Sequence, residues 1–458
     1  MPTFSTEDVI AAIATPAGSG GVGIIRISGK QTAEILCQVF SQGEKAVNQP
    51  RQMVYGEIGP KENPLDDGFG VYFAAPFSYT GENSAELHCH GSWVLLTQVL
   101  EAVLAHGARM ALPGEFTLRA FLQGKIDLSQ AESVQELIDA RTPAACALAR
   151  ERLHGALKTP VEEMEQSLLS LLAAITVAVD FPEDADAPTA SSLLAQVDTL
   201  IRQMKTILAQ ADTGILYGEG VILVLAGPVN AGKSSLLNAL LQQERAIVTQ
   251  EPGTTRDVIQ AGLNLDGLPV QISDTAGLRQ TENQVEALGI EKSRSALAEA
   301  ALQLVVLDLS SPDALGDLAN LALPSLAPGQ KRAYAWNKLD LCPTLPELPW
   351  PTDGPSFMVS ARTGAGLLSL VQGLKTLLLG EIQTSPAAGA VGNLRQKEAL
   401  QAALESLQAA CLALQGGMPL DFCGLDLENA ATYLGEITGR TASAELLDTI
   451  FSRFCLGK

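Results

Sequence analysis

The chain has 458 residues, 30 Lys and Arg against 51 Asp and Glu, and a formal charge of −21. Hydrophobic residues make up 47% and charged ones 18%, which excludes a wholly disordered chain and suits about three packed domains. The longest apolar run, Ser167 to Val179, spans 13 residues, short of the ~18 that a membrane-crossing helix needs. The opening MPTFSTEDVI has no basic, apolar leader, and seven cysteines occur without a CxxC pair. Both features point to a soluble chain with reduced thiols, expected in the cytoplasm and not at a membrane.

Residues 1–125 mix β-rich runs (VGIIRIS, GVYFAAP, AELHCH) with Gly/Pro turns and a helical stretch near Trp93 to His106, a pattern that predicts an α+β domain. Within it Gly18 to Gly23 matches GxGxxG. A dinucleotide fingerprint needs a helix next, and Ile24 to Ile27 predicts a strand instead. The glycine turn then presents Arg26, either to solvent or to an anion. His88, Cys89 and His90 resemble metal ligands, but in a strand Cys89 faces away from the two histidines, so a structural role is expected. Residues 126–214 recur at helical spacing (Leu128, Ala131, Val134, Leu137, Ile138). Residues 215–382 return to strands alternating with helices, the signature of a doubly wound, mostly parallel sheet. Residues 383–458 are helical again, which predicts an α/β domain inserted into a helical one. No stretch carries the basic footprint of an autonomous nucleic-acid binder.

Gly227 to Ser234 reads GPVNAGKS, which fits GxxxxGK[ST], between an apolar strand and a helix-like SLLNALL. That context predicts a phosphate loop in which Asn230, Ala231, Gly232, Lys233, Ser234 and Ser235 surround the phosphates, Lys233 reaches the β and γ groups, and Ser234 binds Mg²⁺. A switch segment follows, Gly253 to Asp257 (GTTRD), with Thr255 completing the Mg²⁺ shell, and Thr249, Gln250, Glu251, Pro252, Gly253 and Thr254 are expected among the nucleotide contacts. Asp274, Thr275, Ala276 and Gly277 then end a strand near the metal and γ-phosphate. Asn337, Lys338 and Asp340 also follow a strand, and the Asp340 carboxylate can accept from the guanine ring N–H and amino group, which adenine cannot match. Ser360, Ala361 and Arg362 close the guanine side. Together these predict GTP, not ATP. Leu278 follows Asp274 to Gly277 and cannot orient a water as glutamine does; Glu286, just beyond, is the candidate for that role.

The passages ATPAGSGGVGIIRISG, SYTGENSAELHCHG, PGEFTLRAFLQGKIDLSQAESVQELIDA, NAGKSSLLNAL, PGTTRD, DTAGLR, VEALGIEKS, ARTGAG and IFSRFCLGK extend the pattern over the whole chain. In these it resembles the tRNA-modification GTPases called MnmE or TrmE. The resemblance implies an N-terminal folate-binding and dimerisation domain (1–125), a helical domain in two parts (126–214 and 383–458) and an inserted Ras-like GTPase domain (215–382). It also implies homodimers, a partner FAD protein like MnmG, and modification of the tRNA wobble uridine with a reduced folate such as 5-formyl- or methylene-tetrahydrofolate. Carried over, it places folate contacts at Arg26, Glu86, Lys125 and Lys458, a K⁺ site at Asn230, Thr249, Glu251 and Thr254, and a functional thiol at Cys455. One departure is Pro228-Val229, where the family commonly has Arg-Pro. A cysteine on a mobile terminus is expected to serve chemistry rather than packing. Two other readings fit parts of the chain: a regulatory GTPase of ribosome assembly, and an aminomethyl-transfer folate enzyme with a GTPase insertion.

Overall fold

A computed structural model of the protein describes residues 7–180, 189–243, 261–265, 267–274, 300–321, 323–342, 344, 350–380 and 389–458. The first sheet contains β1 (Val9–Ile13), β2 (Gly20–Ser28), β3 (Val54–Ile58), β4 (Asp66–Phe73), β5 (Ser84–Gly91) and β6 (Ala108–Met110), in the order β3-β4-β5-β2-β1-β6. It is antiparallel apart from the β1–β6 edge. Alternation along β2 and β5 sends Ile25, Ile27, Leu87 and Cys89 into a core shared with Leu36, Leu96, Val99 and Val103 of two helices, Thr32–Val39 and Trp93–Ala105. The same alternation leaves Arg26 and Glu86 on the other face, directly opposite each other. Burial lifts the Cys89 thiol to about 12.

Under that second face lies a charged network. Arg119, 1% exposed, bonds to Asp8, Glu82 and Glu115, and Arg109 binds Asp8 and Glu115 from the other side. Burial alone would raise the Glu115 pKa, but hydrogen bonds from Arg109 and the Leu112 amide outweigh it and hold the carboxyl below its ordinary value. A carboxyl depressed in the folded state adds stability above its unfolded pKa of ~4.3, and that stability is lost as pH falls through the folded value. Replacing Arg119 by methionine strands buried carboxylates and is expected to cost ~3–5 kcal/mol. Urea unfolding at pH 7 checks this, and the gap from wild type should shrink on acidification; equal stability at pH 7 would mean the network is dispensable.

The second sheet contains β7 (Val221–Ala226), β8 (Ala261–Leu265), β9 (Leu268–Asp274), β10 (Leu302–Asp308), β11 (Lys331–Asn337) and β12 (Ser356–Met358), in the order β12-β11-β10-β7-β9-β8. All neighbours are parallel except β8 with β9, so the edge strand alone runs against the rest. The central strands read as near-continuous apolar runs because helices such as Lys233–Gln243 and Leu367–Leu379 are needed to cover a parallel sheet.

The remaining helices form one core from two distant stretches. Val161, Leu168, Leu171, Val197 and Met204 of helices Lys158–Asp180 and Ala190–Leu208 pack with Leu400, Leu407, Leu427 and Leu434 of helices Leu394–Gln415 and Leu420–Thr438. Polar ties run between the same stretches. Glu132 accepts from Arg395 at 2.9 and 2.7 Å and from Gln396 at 2.7 Å, and Arg440 meets Glu165 at 2.8 Å. The Arg152–Glu136 pair is enclosed nearby, and burial pushes the Glu136 carboxyl up despite Arg152 at 2.9 Å. Among the described residues no helix is long and apolar enough to cross a membrane.

Candidate functional site

The GTPase-like site gathers at the C-terminal ends of β7, β9 and β11, where an open parallel sheet offers its crevice. Between β7 and the helix Lys233–Gln243, Asn230 has φ 66° and Gly232 φ 89°. A side chain at Gly232 would be left-handed and would collide with the Asn337 amide. Lys233 donates from its ammonium to the carbonyls of Gly227 and Pro228, both at 2.8 Å, so the charge sits over the loop. Ser234 and Ser235 open the helix and are exposed, while Val229 at the crest is 87% exposed.

Asn337 braces this loop against the base-side loop. Its Nδ2 donates to the Ala231 carbonyl and its Oδ1 accepts from the Ala361 amide, each at 3.0 Å, and the residue is 2% exposed. Asp340 sits in the single turn Leu339–Leu341, and one carboxylate oxygen accepts from the buried Ser360 hydroxyl at 2.6 Å. The second oxygen has Arg362 at 3.8 Å and stays available to a ligand. Lys338, at φ 65°, swings its ammonium away to Asp308. Asp274 closes β9 opposite Leu225. A donor-rich loop, an ammonium and an oriented carboxylate fit a guanine nucleotide with its metal. Thr249, Gln250, Glu251, Pro252, Gly253, Thr254, Thr255, Thr275, Ala276, Gly277, Leu278 and Glu286 lie outside the described residues.

A second constellation forms on the first sheet. Arg26 places Nε and one terminal nitrogen 3.0 and 2.9 Å from Glu86 Oε1, and its other terminal nitrogen donates to the Gly457 carbonyl at 3.2 Å. The guanidinium lies over the rings of Tyr79 and Phe116, 5.7 and 5.8 Å from their centroids. Glu86 also meets His88 at 3.4 Å, and the His88 contact, set against burial and joined by Arg26, holds its carboxyl below the ordinary value. Lys458 belongs to this group: burial first, and then Arg26, pull its ammonium below the usual lysine range. Lys125 is exposed and donates to the Pro76 carbonyl, with no hydrogen bond to Arg26 or Glu86.

The terminus is tied down, contrary to the expectation of a mobile tail. The Gly114 amide donates to the Cys455 carbonyl at 3.5 Å, and the Phe116 amide to the Lys458 carbonyl at 3.1 Å. Gly457 is buried with φ 89°, and a Cβ there would meet the Ile13 carbonyl oxygen at 2.5 Å. Cys455 remains exposed on this seated loop. Sequence reasoning missed the seating, the Tyr79 and Phe116 rings and the bracing by Asn337. The sequence signal for the first was a glycine inside CLGK, where only a left-handed residue permits the close approach.

Residues 128–455 match the family described as MnmE helical domain, and residues 9–125 the one described as GTP-binding protein TrmE N-terminus. Proteins named tRNA modification GTPase MnmE match along the whole length. That of Chloroflexus aurantiacus is 44% identical and that of Carboxydothermus hydrogenoformans 42%, each alignment covering 99% of this chain and 100% of the relative. That of Clostridioides difficile is 39% identical, covering 99% of both chains. With family matches over both regions and relatives this similar from end to end, the chain belongs to the MnmE family of tRNA modification GTPases.

Proposed function

We propose that this chain hydrolyses GTP and, with an FAD-containing partner like MnmG, adds an aminomethyl-type group to C5 of the wobble uridine of tRNA. A reduced folate supplies the one-carbon unit. The observation that carries the reading is the seating of the Cys455 loop beside the Arg26–Glu86 pair, in a chain whose braced Asn337 and oriented Asp340 suit a guanine base. A carboxylate suits a pterin's amino and ring N–H groups, the rings of Tyr79 and Phe116 suit its plane, and Arg26 and Lys458 suit the carboxylates of its glutamate tail. Lys125 serves the same ligand from the rim. Cys455 acts on the one-carbon unit or the base.

In the GTPase region Lys233 binds the β and γ phosphates, Ser234 and Thr255 hold Mg²⁺, and Asp340 reads guanine. Asn230, Thr249, Glu251 and Thr254 hold K⁺, which supplies positive charge to the developing transition state when two GTPase regions meet. Glu286 orients the water. A homodimer is supported by an exposed aromatic row on the first sheet: Tyr55 and Phe69 lie directly opposite in register, 62% and 42% exposed, in edge contact at 5.6 Å. Since the chain's charge is −21, much of the tRNA-binding surface belongs to the partner. Mass spectrometry of wobble nucleosides from cells lacking the chain tests the reading. The modified uridine should disappear and return on complementation; an unchanged nucleoside pool overturns it.

A further inference from the structure

The hairpin β8–β9 separates the two nucleotide-responsive motifs. β8 begins at Ala261, four residues after Asp257 of the PGTTRD motif, and β9 ends at Asp274, the first residue of DTAG. Its turn, at the opposite end, is held from outside the GTPase region. Thr142, 3% exposed, donates its hydroxyl to the Gly267 carbonyl at 2.7 Å. The same oxygen accepts from the Ala145 amide at 3.1 Å, capping the helix Pro143–Leu153. A hydroxyl has one proton to give, and it is aimed at the hairpin. Ala144 and Tyr217 crowd the Gly267 position, and Leu148 and Tyr217 share a core with Leu263, Leu265, Leu268 and Val270 of the hairpin.

Contacts continue from there without a gap. Arg152, at the far end of the capped helix, pairs with Glu136 on the helix Leu128–Asp139 and donates to the Ala390 carbonyl at 3.3 Å. Leu128 and Ala131 of that second helix pack against Phe451 and Phe454, and Cys455 follows directly. β8 is an edge strand bonded on one side only, to β9, so a shift of the hairpin breaks no ladder beyond it.

We propose that Thr142 is a positioning residue that couples the nucleotide state to the helical domain: it fixes the hairpin turn, so that displacement of either motif is passed to the helices 128–153. β9 is about 20 Å long at ~3.3 Å per residue, so its bonded ladder carries a shift at Asp274 to the turn as one body. A merely structural contact would steady both nucleotide states alike, whereas a coupling contact makes the states differ.

The test uses the full chain loaded with GDP or with a non-hydrolysable GTP analogue in Mg²⁺ and K⁺, occupancy being checked by calorimetry in the same samples. Hydrogen–deuterium exchange is followed in peptides covering 128–153. Wild type and Thr142→Ser, which keeps both hydrogen bonds, should show a difference between the nucleotides. Thr142→Asp keeps the helix cap but has no proton for the Gly267 carbonyl, and the difference should fall at least fivefold with nucleotide affinity unchanged. Thr142→Val removes the same donor without introducing a charge but loses the helix cap as well, so the Asp variant isolates the hairpin bond and Val controls for its charge. The proposal is overturned if wild type shows no nucleotide-dependent difference in 128–153 while both ligands bind. It is equally overturned if the Asp and Val variants keep that difference. Failure to bind nucleotide at all would instead refute the GTPase reading.

Discussion

Replacing Asp340 by asparagine is expected to turn the protein from GTP toward xanthosine triphosphate. The carboxylate is fixed on one oxygen by the Ser360 hydroxyl, leaving the other, 3.8 Å from Arg362, free to accept from a base. Guanine presents a ring N–H and an amino group, two donors that match a carboxylate. Xanthine replaces the amino donor with a carbonyl, which a carboxylate repels and an amide N–H can satisfy. Hydrogen bonds to a charged group are worth about 1.5–3 kcal/mol each, so losing them should weaken GTP binding by roughly 10²–10⁴-fold. Ser360 can donate to the asparagine carbonyl as it did to the carboxylate, and the brace at Asn337 is untouched. Calorimetry with both nucleotides decides the matter. Equal losses for the two would indicate a damaged loop, and undiminished GTP binding would remove Asp340 from base recognition.

Substituting alanine at Gly457 should abolish wobble-uridine modification while leaving GTP hydrolysis within about twofold. The residue is left-handed, and a methyl group there would press on the Ile13 carbonyl at 2.5 Å and the Ala14 backbone at 2.9 Å. Neither backbone atom can rotate aside, so the tail must lift. Lifting breaks the Arg26 bond to the Gly457 carbonyl and the Phe116 bond to the Lys458 carbonyl together. A displacement of 1 Å at a reacting group costs on the order of 10²-fold in rate. Cys455→Ser is the matched control, because it removes the thiol and keeps the seating. Both variants should fail in a reconstituted modification assay, but only Gly457→Ala should lose amide protection in the peptide containing Gly114 and Phe116. Normal modification by Gly457→Ala would show that the loop need not be seated.

The fold class was legible because its signals are periodic. Runs such as VILVLAG and LQLVVLDLS match β7 and β10, and the amphipathic Leu-rich helices match the shared helical core. The phosphate loop was legible for a different reason: few backbones other than a left-handed turn opening a helix require glycine and lysine at that spacing. Edge strands were harder to see. β8 reads AGLNL and β6 is only three residues long, so neither carries enough alternation to register. Long-range ties were out of reach altogether. Arg26 could be placed on a strand with its face undecided, but its bond to a carbonyl 431 residues away has no local pattern. Thr142 shows the same limit from the other side. Locally it reads as an ordinary helix cap before proline, and its second bond appears only once the hairpin is folded against it.

The shared helical core has a consequence for how the chain is made. Glu132 waits for Arg395, and Leu168 and Leu171 wait for Leu400 and Leu427, all of which leave the ribosome after the whole GTPase region. At ~5–20 residues per second, that interval lasts on the order of ten to thirty seconds. Throughout it the helices Lys158–Asp180 and Ala190–Leu208 lack Leu394–Gln415 and Leu420–Thr438, the helices that cover their apolar faces, while the intervening sheet can already fold. Nascent chains are therefore most exposed to aggregation late in synthesis, when the first half is complete and its complement is still untranslated. A chaperone that binds apolar helix faces would find its target in that window and lose it when Leu434 emerges.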